Sequence, residues 1–397
     1  MVLIALRFAK RDRQAAIKAQ MSSPNFVQLP EVDGPAMAKF LQEMAKEIPI
    51  RFTAQQICSF TNNYSKILGS GGYGIVYKGQ FPNGADIAVK VLKRNSDSNK
   101  VVEDQFMSEV STMSRTRHVN LVRLYGFFHD QLMSALVYEF LENGSLDKYL
   151  FNEMHQLEWQ TLCDIAIGTA KGIAYLHEEC QQRIIHYDIK PGNILLDSKF
   201  SPKVADFGLA KLCNKDSTHI TMTGYRGTPG YSAPELTLMN QPITHKCDVY
   251  SYGMLLFEII GRRRNAGHMS SSDSLNWFPK QVWDNFEKGE LGKLTSTCGI
   301  EEKNREKAER MSMVALWCVQ DSPDARPPMS AVVKMLEGGV DIVLPPKPFQ
   351  YLYSMAINAQ PEFTESSSDS TSGGSNSCWY KETTPIMRKY EIQIASS

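Results

Sequence analysis

The sequence predicts an α+β fold in two lobes, a strand-rich N-terminal lobe with one main helix and a helix-rich C-terminal lobe. Three observations predict it. Between Tyr64 and Phe140, short apolar runs alternate with glycine, proline and asparagine turns, which is the signature of strands and hairpins. Beyond Asn143-Gly144-Ser145 the period lengthens, and apolar residues recur at helical spacing over long stretches. Between the long helices lies a polar string, His186-Tyr187-Asp188-Ile189-Lys190-Pro191-Gly192-Asn193, with Asp206-Phe207-Gly208 shortly after it.

In chain order, the predicted segments are 1–20, 21–62, 63–142, 143–345 and 346–397. Met1 to Ala9 is mostly apolar and is followed by Lys10, Arg11 and Arg13. Nine residues cannot cross a hydrocarbon core, which needs about 20. The segment reads either as the end of a transmembrane helix with its basic flank or as a short amphipathic starter helix. Residues 21–62 carry Pro24, Pro30, Pro35 and Pro49 and read as a juxtamembrane linker. The N-lobe and hinge follow. Ile67-Leu68 leads into the glycine-rich stretch, Pro82-Asn83-Gly84 is a turn, and Ile87 to Leu92 is an apolar strand interrupted by Lys90. Glu103 to Arg115 has helical spacing; Leu121–Tyr125 and Ser134–Phe140 are further strands. In the second lobe, helices are expected from Leu162 to His177, Asp248 to Ile260 (closed by Gly261), Leu275 to Lys288, Lys303 to Val319 and Ser330 to Leu336. The last segment is rich in serine, threonine and glycine and reads as a disordered tail.

Composition excludes some classes of function. The 397 residues carry 43 basic and 43 acidic side chains, so the basic excess of a general nucleic-acid binder is missing. The eight cysteines are scattered and form no CxxC pair, which fits free thiols in a reducing compartment better than disulfides or a zinc site.

Several residues suggest chemistry. Gly69-Ser70-Gly71-Gly72-Tyr73-Gly74 sits between strands, not before a helix, so it reads as a hairpin lid over phosphates rather than a dinucleotide fingerprint. Alone, a plain glycine-rich turn is the better reading. Lys90 lies 16 residues after Gly74 in an apolar strand, where an unpaired ammonium is costly, and Glu109 on the following helix is its candidate partner. That pair is either an ordinary ion pair or a phosphate-binding lysine with its positioning acid. Read alone, the 186–197 string is equally a polar loop between two strands; read for chemistry, Asp188 and Asn193 supply a proton-accepting carboxylate and a metal-binding amide, and Asp206 a second metal-binding carboxylate. These are parts that phosphoryl transfer from Mg-ATP requires.

Taken together, Gly69–Gly74, Lys90, Glu109, His186-Tyr187-Asp188, Asn193, Asp206-Phe207-Gly208 and Ala233-Pro234-Glu235 occur in the order of the protein-kinase signature set. Over roughly residues 64–342 the chain resembles a protein kinase. The resemblance implies the bilobed kinase fold, with ATP and Mg2+ (or Mn2+) as cofactors. It makes Asp188 the acceptor of the substrate hydroxyl's proton, and Lys190 the neutraliser of γ-phosphate charge. Asn193 and Asp206 become metal ligands, and Lys90 the holder of the α/β-phosphates. The glycine-rich loop, Val76, Ala88, Glu109, Tyr138 as gatekeeper and the hinge residues Glu139 and Leu141 complete the implied nucleotide site.

Lys190-Pro191 and Gly227-Thr228 resemble Ser/Thr kinases. The segments Val137-Tyr138-Glu139-Phe140 and Asn143-Gly144-Ser145-Leu146 are similar to plant receptor-like kinases. His186-Tyr187-Asp188 and Asn276-Trp277-Phe278-Pro279 resemble their leaf-rust-resistance-kinase-like group. The implied partners are ATP, protein substrates with Ser/Thr, and a membrane reached through a missing or truncated N-terminal helix; nucleic acid is not among them. The implied location is the cytoplasmic face of the plasma membrane, or the cytoplasm. A pseudokinase scaffold is the alternative; a small-molecule kinase is disfavoured by the 216–235 segment. Tyr187 departs from the arginine many kinases place there, which binds an activation-loop phosphate.

Overall fold

The computed structural model describes residues 49–71, 74–93, 99–215, 227–238, 242–265 and 277–350. The first lobe contains β1 (Ile50–Arg51), α1 (Ala54–Phe60), β2 (Ile67–Gly71), β3 (Gly74–Gln80), β4 (Asp86–Leu92), α2 (Asn99–Met113), β5 (Leu124–His129) and β6 (Ser134–Glu139). Its six strands run in the order β1-β5-β6-β4-β3-β2, with β1 parallel to β5 and every other pair antiparallel. The predicted strand at Leu121–Tyr125 begins three residues later, at Leu124, and α2 starts ahead of the predicted Glu103.

Side-chain alternation sorts this sheet into two faces. Val76 lies opposite Lys90, Lys90 opposite Leu136, and Ala88 opposite Tyr138, so these five share one face. That face joins the main core through Leu92, Leu136, Tyr138 and the α2 residues Phe106 and Val110. Ile87, Val89, Ala135 and Val137 face the other way and form a second cluster with Phe52 and Ile57. The lysine that interrupts the strand thus lands on the cleft side because its period-2 neighbours do.

Part of the predicted linker therefore belongs to the lobe. Thr53 caps α1 by accepting from the Gln56 amide at 3.2 Å, while the Gln56 side chain accepts from the Thr53 amide at 2.8 Å. Phe60 and Phe81 meet edge to face with centroids 5.2 Å apart, and Phe52 stands edge-on to Phe60 at 5.4 Å. A two-residue strand and a seven-residue helix are too short for periodicity to reveal. The legible signal was the Thr-x-x-Gln capping box.

The second lobe contains β7 (Gly144–Ser145), α3 (Asp147–Leu150), α4 (Trp159–Ala174), β8 (Arg183–Ile185), β9 (Ile194–Leu196), β10 (Pro202–Val204) and β11 (Lys211–Cys213). Beyond these come α5 (Pro234–Leu238), α6 (Lys246–Gly261), α7 (Phe278–Glu287), α8 (Leu291–Thr297), α9 (Arg305–Cys318) and α10 (Met329–Glu337). Helix α6 is buried on every side from Cys247 to Ile260 and forms the lobe's central post. Gly261 does not close it. Arg262 takes the left-handed cap with φ of 48°, and Gly261 is required because a Cβ there would sit 2.6 Å from the Phe278 ring.

The folded chain also runs past the predicted boundary at 345. Residues 340–350 lie along α9: the Trp317 indole donates to the Val343 carbonyl at 2.8 Å, and Gln320 to that of Pro346 at 3.0 Å. Phe349 is fully buried, with its ring 4.7 Å from that of Trp277. The segment has no periodic pattern because it is an extended strap whose anchors, not its period, fix it. Among the described residues no helix is long and apolar enough to cross a membrane. The predicted membrane-helix end, the serine-rich tail beyond 350 and Asn276 lie outside the described residues. Phe349→Ala should lower unfolding stability by about 3–5 kcal/mol, the range for emptying a buried aromatic site, as read by urea denaturation.

Candidate active site

Asp248, at the start of α6 and fully buried, organises the loop that carries the sequence-predicted catalytic residues. Its Oδ2 accepts the His186 amide at 2.8 Å and its Oδ1 the Tyr187 amide at 2.8 Å, while His177 Nε2 donates to Oδ2 at 2.9 Å. Burial opposes its ionisation, but the His177 hydrogen bond and the nearby histidines outweigh it and hold the carboxyl below its ordinary range. Anchoring both amides lets Tyr187 sit at φ of 66°, a left-handed conformation that a bulky side chain keeps only when its surroundings impose it.

The bend aims Asp188 into the cleft. The Asp188 amide donates to His186 Nδ1 at 3.2 Å, so His186 carries its proton on Nε2 and donates to the Ala205 carbonyl at 3.1 Å. One histidine thus ties the 186–193 loop to the residue before Asp206. Asn193 Nδ2 donates to the Asp188 carbonyl at 2.8 Å and to Asp188 Oδ2 at 2.9 Å. Lys190 Nζ reaches Asp188 Oδ2 and Thr228 Oγ1, each at 2.8 Å, and the Thr228 hydroxyl donates to Asp188 Oδ1 at 2.5 Å. Sequence reasoning had not placed Thr228 in the site. Its sequence signals are the Gly227-Thr228 pair that resembles Ser/Thr kinases and its place five residues ahead of Ala233-Pro234-Glu235.

Lys90 bridges two carboxylates, with Glu109 Oε2 at 2.9 Å and Asp206 Oδ1 at 2.7 Å. Burial works against its charge, yet the two acids outweigh it and raise its pKa. Glu109 is the most enclosed of the three. Burial pushes its pKa up, while Lys90 and the Tyr138 hydroxyl, which donates to Oε1, pull it back. For Asp206 the balance goes the other way: burial opposes ionisation, but Lys90 holds the carboxyl below its ordinary value. Asp206 also has a left-handed backbone, with φ of 66°.

The remaining predicted residues divide three ways. Val76, Ala88 and Tyr138 share the cleft face with Lys90, and Leu141 is buried at the junction of the lobes. The Glu139 side chain turns away, because its Oε1 accepts from the Arg123 amide at 2.8 Å and pairs with Lys203 at 3.2 Å. The Glu139 amide is committed as well, donating to the Arg123 carbonyl at 3.1 Å. Gly69, Ser70, Gly71 and Gly74 form the antiparallel β2–β3 hairpin and not the entry to a helix; Gly72 and Tyr73 lie outside the described residues. A Cβ on Gly74 would lie 2.3 Å from the Val91 carbonyl, whereas Gly69 and Gly71 have open space, as a lid over a ligand needs.

The residues present fit a nucleotide with a divalent cation. Asn193 commits its amide nitrogen to Asp188 and keeps its Oδ1, and Asp206 keeps one carboxylate oxygen beyond Lys90. Two hard oxygen donors suit Mg2+ and similar ions. The bridging Lys90 ammonium is a cation within the same cleft as Asp188 and Asp206.

Below the cleft, Glu235 and Arg326 form a fully buried two-pronged pair at 2.6 and 2.9 Å, bracing the Ala233-Pro234-Glu235 segment against the loop before α10.

These contacts bring Lys90 and Glu109 of the first lobe and Asp188 and Asp206 of the second around one cleft. The chain belongs to the protein kinase domain family, whose profile matches residues 62–336. It is 41% identical over 327 residues to a PR5-like receptor kinase of Arabidopsis thaliana, covering 81% of this chain and 48% of that protein. It is 42% identical over 317 residues to the rust resistance kinase Lr10 of Triticum aestivum, covering 78% of this chain and 49% of the relative. Identity is 44% over 324 residues, 80% of this chain and 50% of the relative, with leaf rust 10 disease-resistance locus receptor-like protein kinase-like 2.1 of Arabidopsis thaliana. The chain spans about half the length of these curated relatives.

The brace around Asp248 has a pH signature. His245 stands edge-on to His177 at 5.1 Å, and burial, then the charges of His177, Arg183 and Lys246, depress its pKa to about 3. A histidine depressed in the folded state takes up a proton on unfolding below its ordinary value of about 6.5, so stability drains as pH falls through that value. Stability should fall by at most about 1.4 kcal/mol per pH unit from this group between pH 6.5 and 5. His245→Phe should flatten that slope in urea unfolding series.

Proposed function

We propose that this chain is the intracellular kinase region of a plant receptor-like kinase, transferring the γ-phosphate of ATP to serine and threonine hydroxyls of proteins. The observation that carries the reading is the Asp188 cluster, in which one carboxylate is held by Asn193, Lys190 and Thr228 and faces a cleft shared with Lys90 and Asp206.

In this reading Asp188 orients the substrate hydroxyl and accepts its proton as the oxygen attacks phosphorus. Lys190, already hydrogen-bonded to Asp188 Oδ2, is the cation beside the γ-phosphate oxygens. Thr228 fixes the second Asp188 oxygen and ties the substrate platform to it. Lys90 holds the α- and β-phosphates while Glu109 and Tyr138 fix its position. Asn193 and Asp206 would hold Mg2+ or Mn2+, which when bound neutralises phosphate charge. The glycine hairpin covers the phosphates and keeps water away. The similarity to named receptor kinases supports attachment, through sequence ahead of residue 49, to the cytoplasmic face of the plasma membrane.

Transfer from γ-labelled ATP should appear on serine and threonine with the intact chain and fall at least about a thousandfold in Asp188→Asn, by loss of its proton acceptor and positioning oxygen. Label equal in both proteins would sink the role of Asp188. ATP binding without label in either would favour the scaffold.

Tyr187 is buried and has no guanidinium to offer a phosphate. Phosphorylation at Ser217, Thr218, Thr221 or Thr223, all outside the described residues, should therefore have less control over activity than in relatives with arginine at that position. The fourfold alanine variant is expected to keep more than about a third of wild-type turnover, a change under 1 kcal/mol in the barrier. Abolished activity in a variant with native circular dichroism would overturn this.

A further inference from the structure

Residues 105, 108 and 109 share one face of α2, since positions three and four apart are neighbours on a helix. That face lies against the segment carrying Asp206. A Cβ placed on Gly208 would be 3.7 Å from Glu109 Oε2 and 3.9 Å from Gln105 Cβ. Between them, the Ser108 hydroxyl lies 2.5 Å from the Ala210 carbonyl and 3.2 Å from the Phe207 carbonyl. Phe207 is itself fully buried and stacks edge-on to His186 at 4.7 Å. The Ala210 amide closes the turn by donating to the Phe207 carbonyl at 3.0 Å.

The two anchors of α2 thus serve different lobes. Glu109 binds Lys90 and Tyr138 on the first-lobe sheet, whereas Ser108 binds backbone of the segment that follows β10 in the second lobe. Ala205 and Asp206 lie between β10 and this turn, and the left-handed backbone of Asp206 persists only if its flanks are held. His186 holds the upstream flank through Ala205, and Ser108 holds the downstream flank through Phe207 and Ala210.

We infer that Ser108 is a positioning residue for phosphoryl transfer, a hydroxyl clamp that couples the inward setting of α2 to the backbone geometry of Asp206. The inference rests on the role proposed above for Asp206. Loss of the hydroxyl removes the clamp without touching Lys90–Glu109. A charged group in its place faces two carbonyl oxygens and repels them.

The test uses the full chain carrying Ser108→Ala, Ser108→Thr, Ser108→Asp or Asp206→Ala. Turnover at saturating ATP and amide hydrogen exchange over 207–211 are measured on each. Ser108→Ala should lower kcat roughly three- to tenfold, the worth of about one hydrogen bond, and speed exchange at 207–211. Ser108→Thr keeps the hydroxyl and should restore both, and Ser108→Asp should fall below alanine in both. Wild-type exchange and turnover in Ser108→Ala, or a threonine variant as impaired as alanine, would overturn the clamp. If Asp206→Ala still transfers phosphate, the proposed role of Asp206 fails, and the catalytic consequence of the clamp fails with it. An inactive Asp206→Ala beside an unaffected Ser108→Ala sinks the clamp alone.

Discussion

The structure depends on a buried carboxylate receiving two consecutive backbone amides. Asp248 sits in the most enclosed helix of the protein, where an isolated charge would be prohibitive. It is tolerable because the His186 and Tyr187 amides and the His177 ring saturate its two oxygens. In return it fixes a backbone bend that the chain would not adopt unaided. The side chains of the 186–193 loop that face the cleft take their direction from that bend. Asp188 follows it directly, Asn193 and Lys190 bind back onto Asp188, and His186 reaches across to the strand end before Asp206.

Much of the site was legible in the sequence because its constraints are local. A lysine inside an apolar strand must face something that accepts charge, and the sheet register puts Lys90 on the cleft side for the same reason that it puts Leu136 there. The spacing of Asp188, Asn193 and Asp206 pointed to phosphotransfer only in company with the glycine-rich stretch, Lys90, Glu109 and Ala233-Pro234-Glu235, in that order along the chain. Thr228 was less accessible, because its importance comes from a contact 40 residues back along the chain, made by a loop with no periodic pattern. Ser108 could not be told from any half-exposed helical serine until the 207–210 turn was in place against it.

The fold was read well where elements are long and poorly where they are short or extended. Helix α6 announced itself by the apolar residues that dominate Val249 to Ile260. The β1–α1 unit and the 340–350 strap did not, since each is held by a few aromatic or polar anchors to distant partners. Gly261 illustrates a different failure: a glycine at a helix end suggests a cap, but here it clears room for the Phe278 ring, and the cap falls on Arg262.

The bond from Tyr138 to Glu109 makes the rear of the nucleotide cleft selective in an unusual sense. A ligand pushing past this tyrosine must do more than displace a ring. It must also leave a carboxylate deep in the protein short of a donor, with the associated desolvation cost. Small-molecule affinity behind the tyrosine is therefore controlled by whether the intruding group can itself donate a proton to Glu109. A snug but purely hydrocarbon substituent would be rejected there, whereas an amide or hydroxyl of the same size would be admitted.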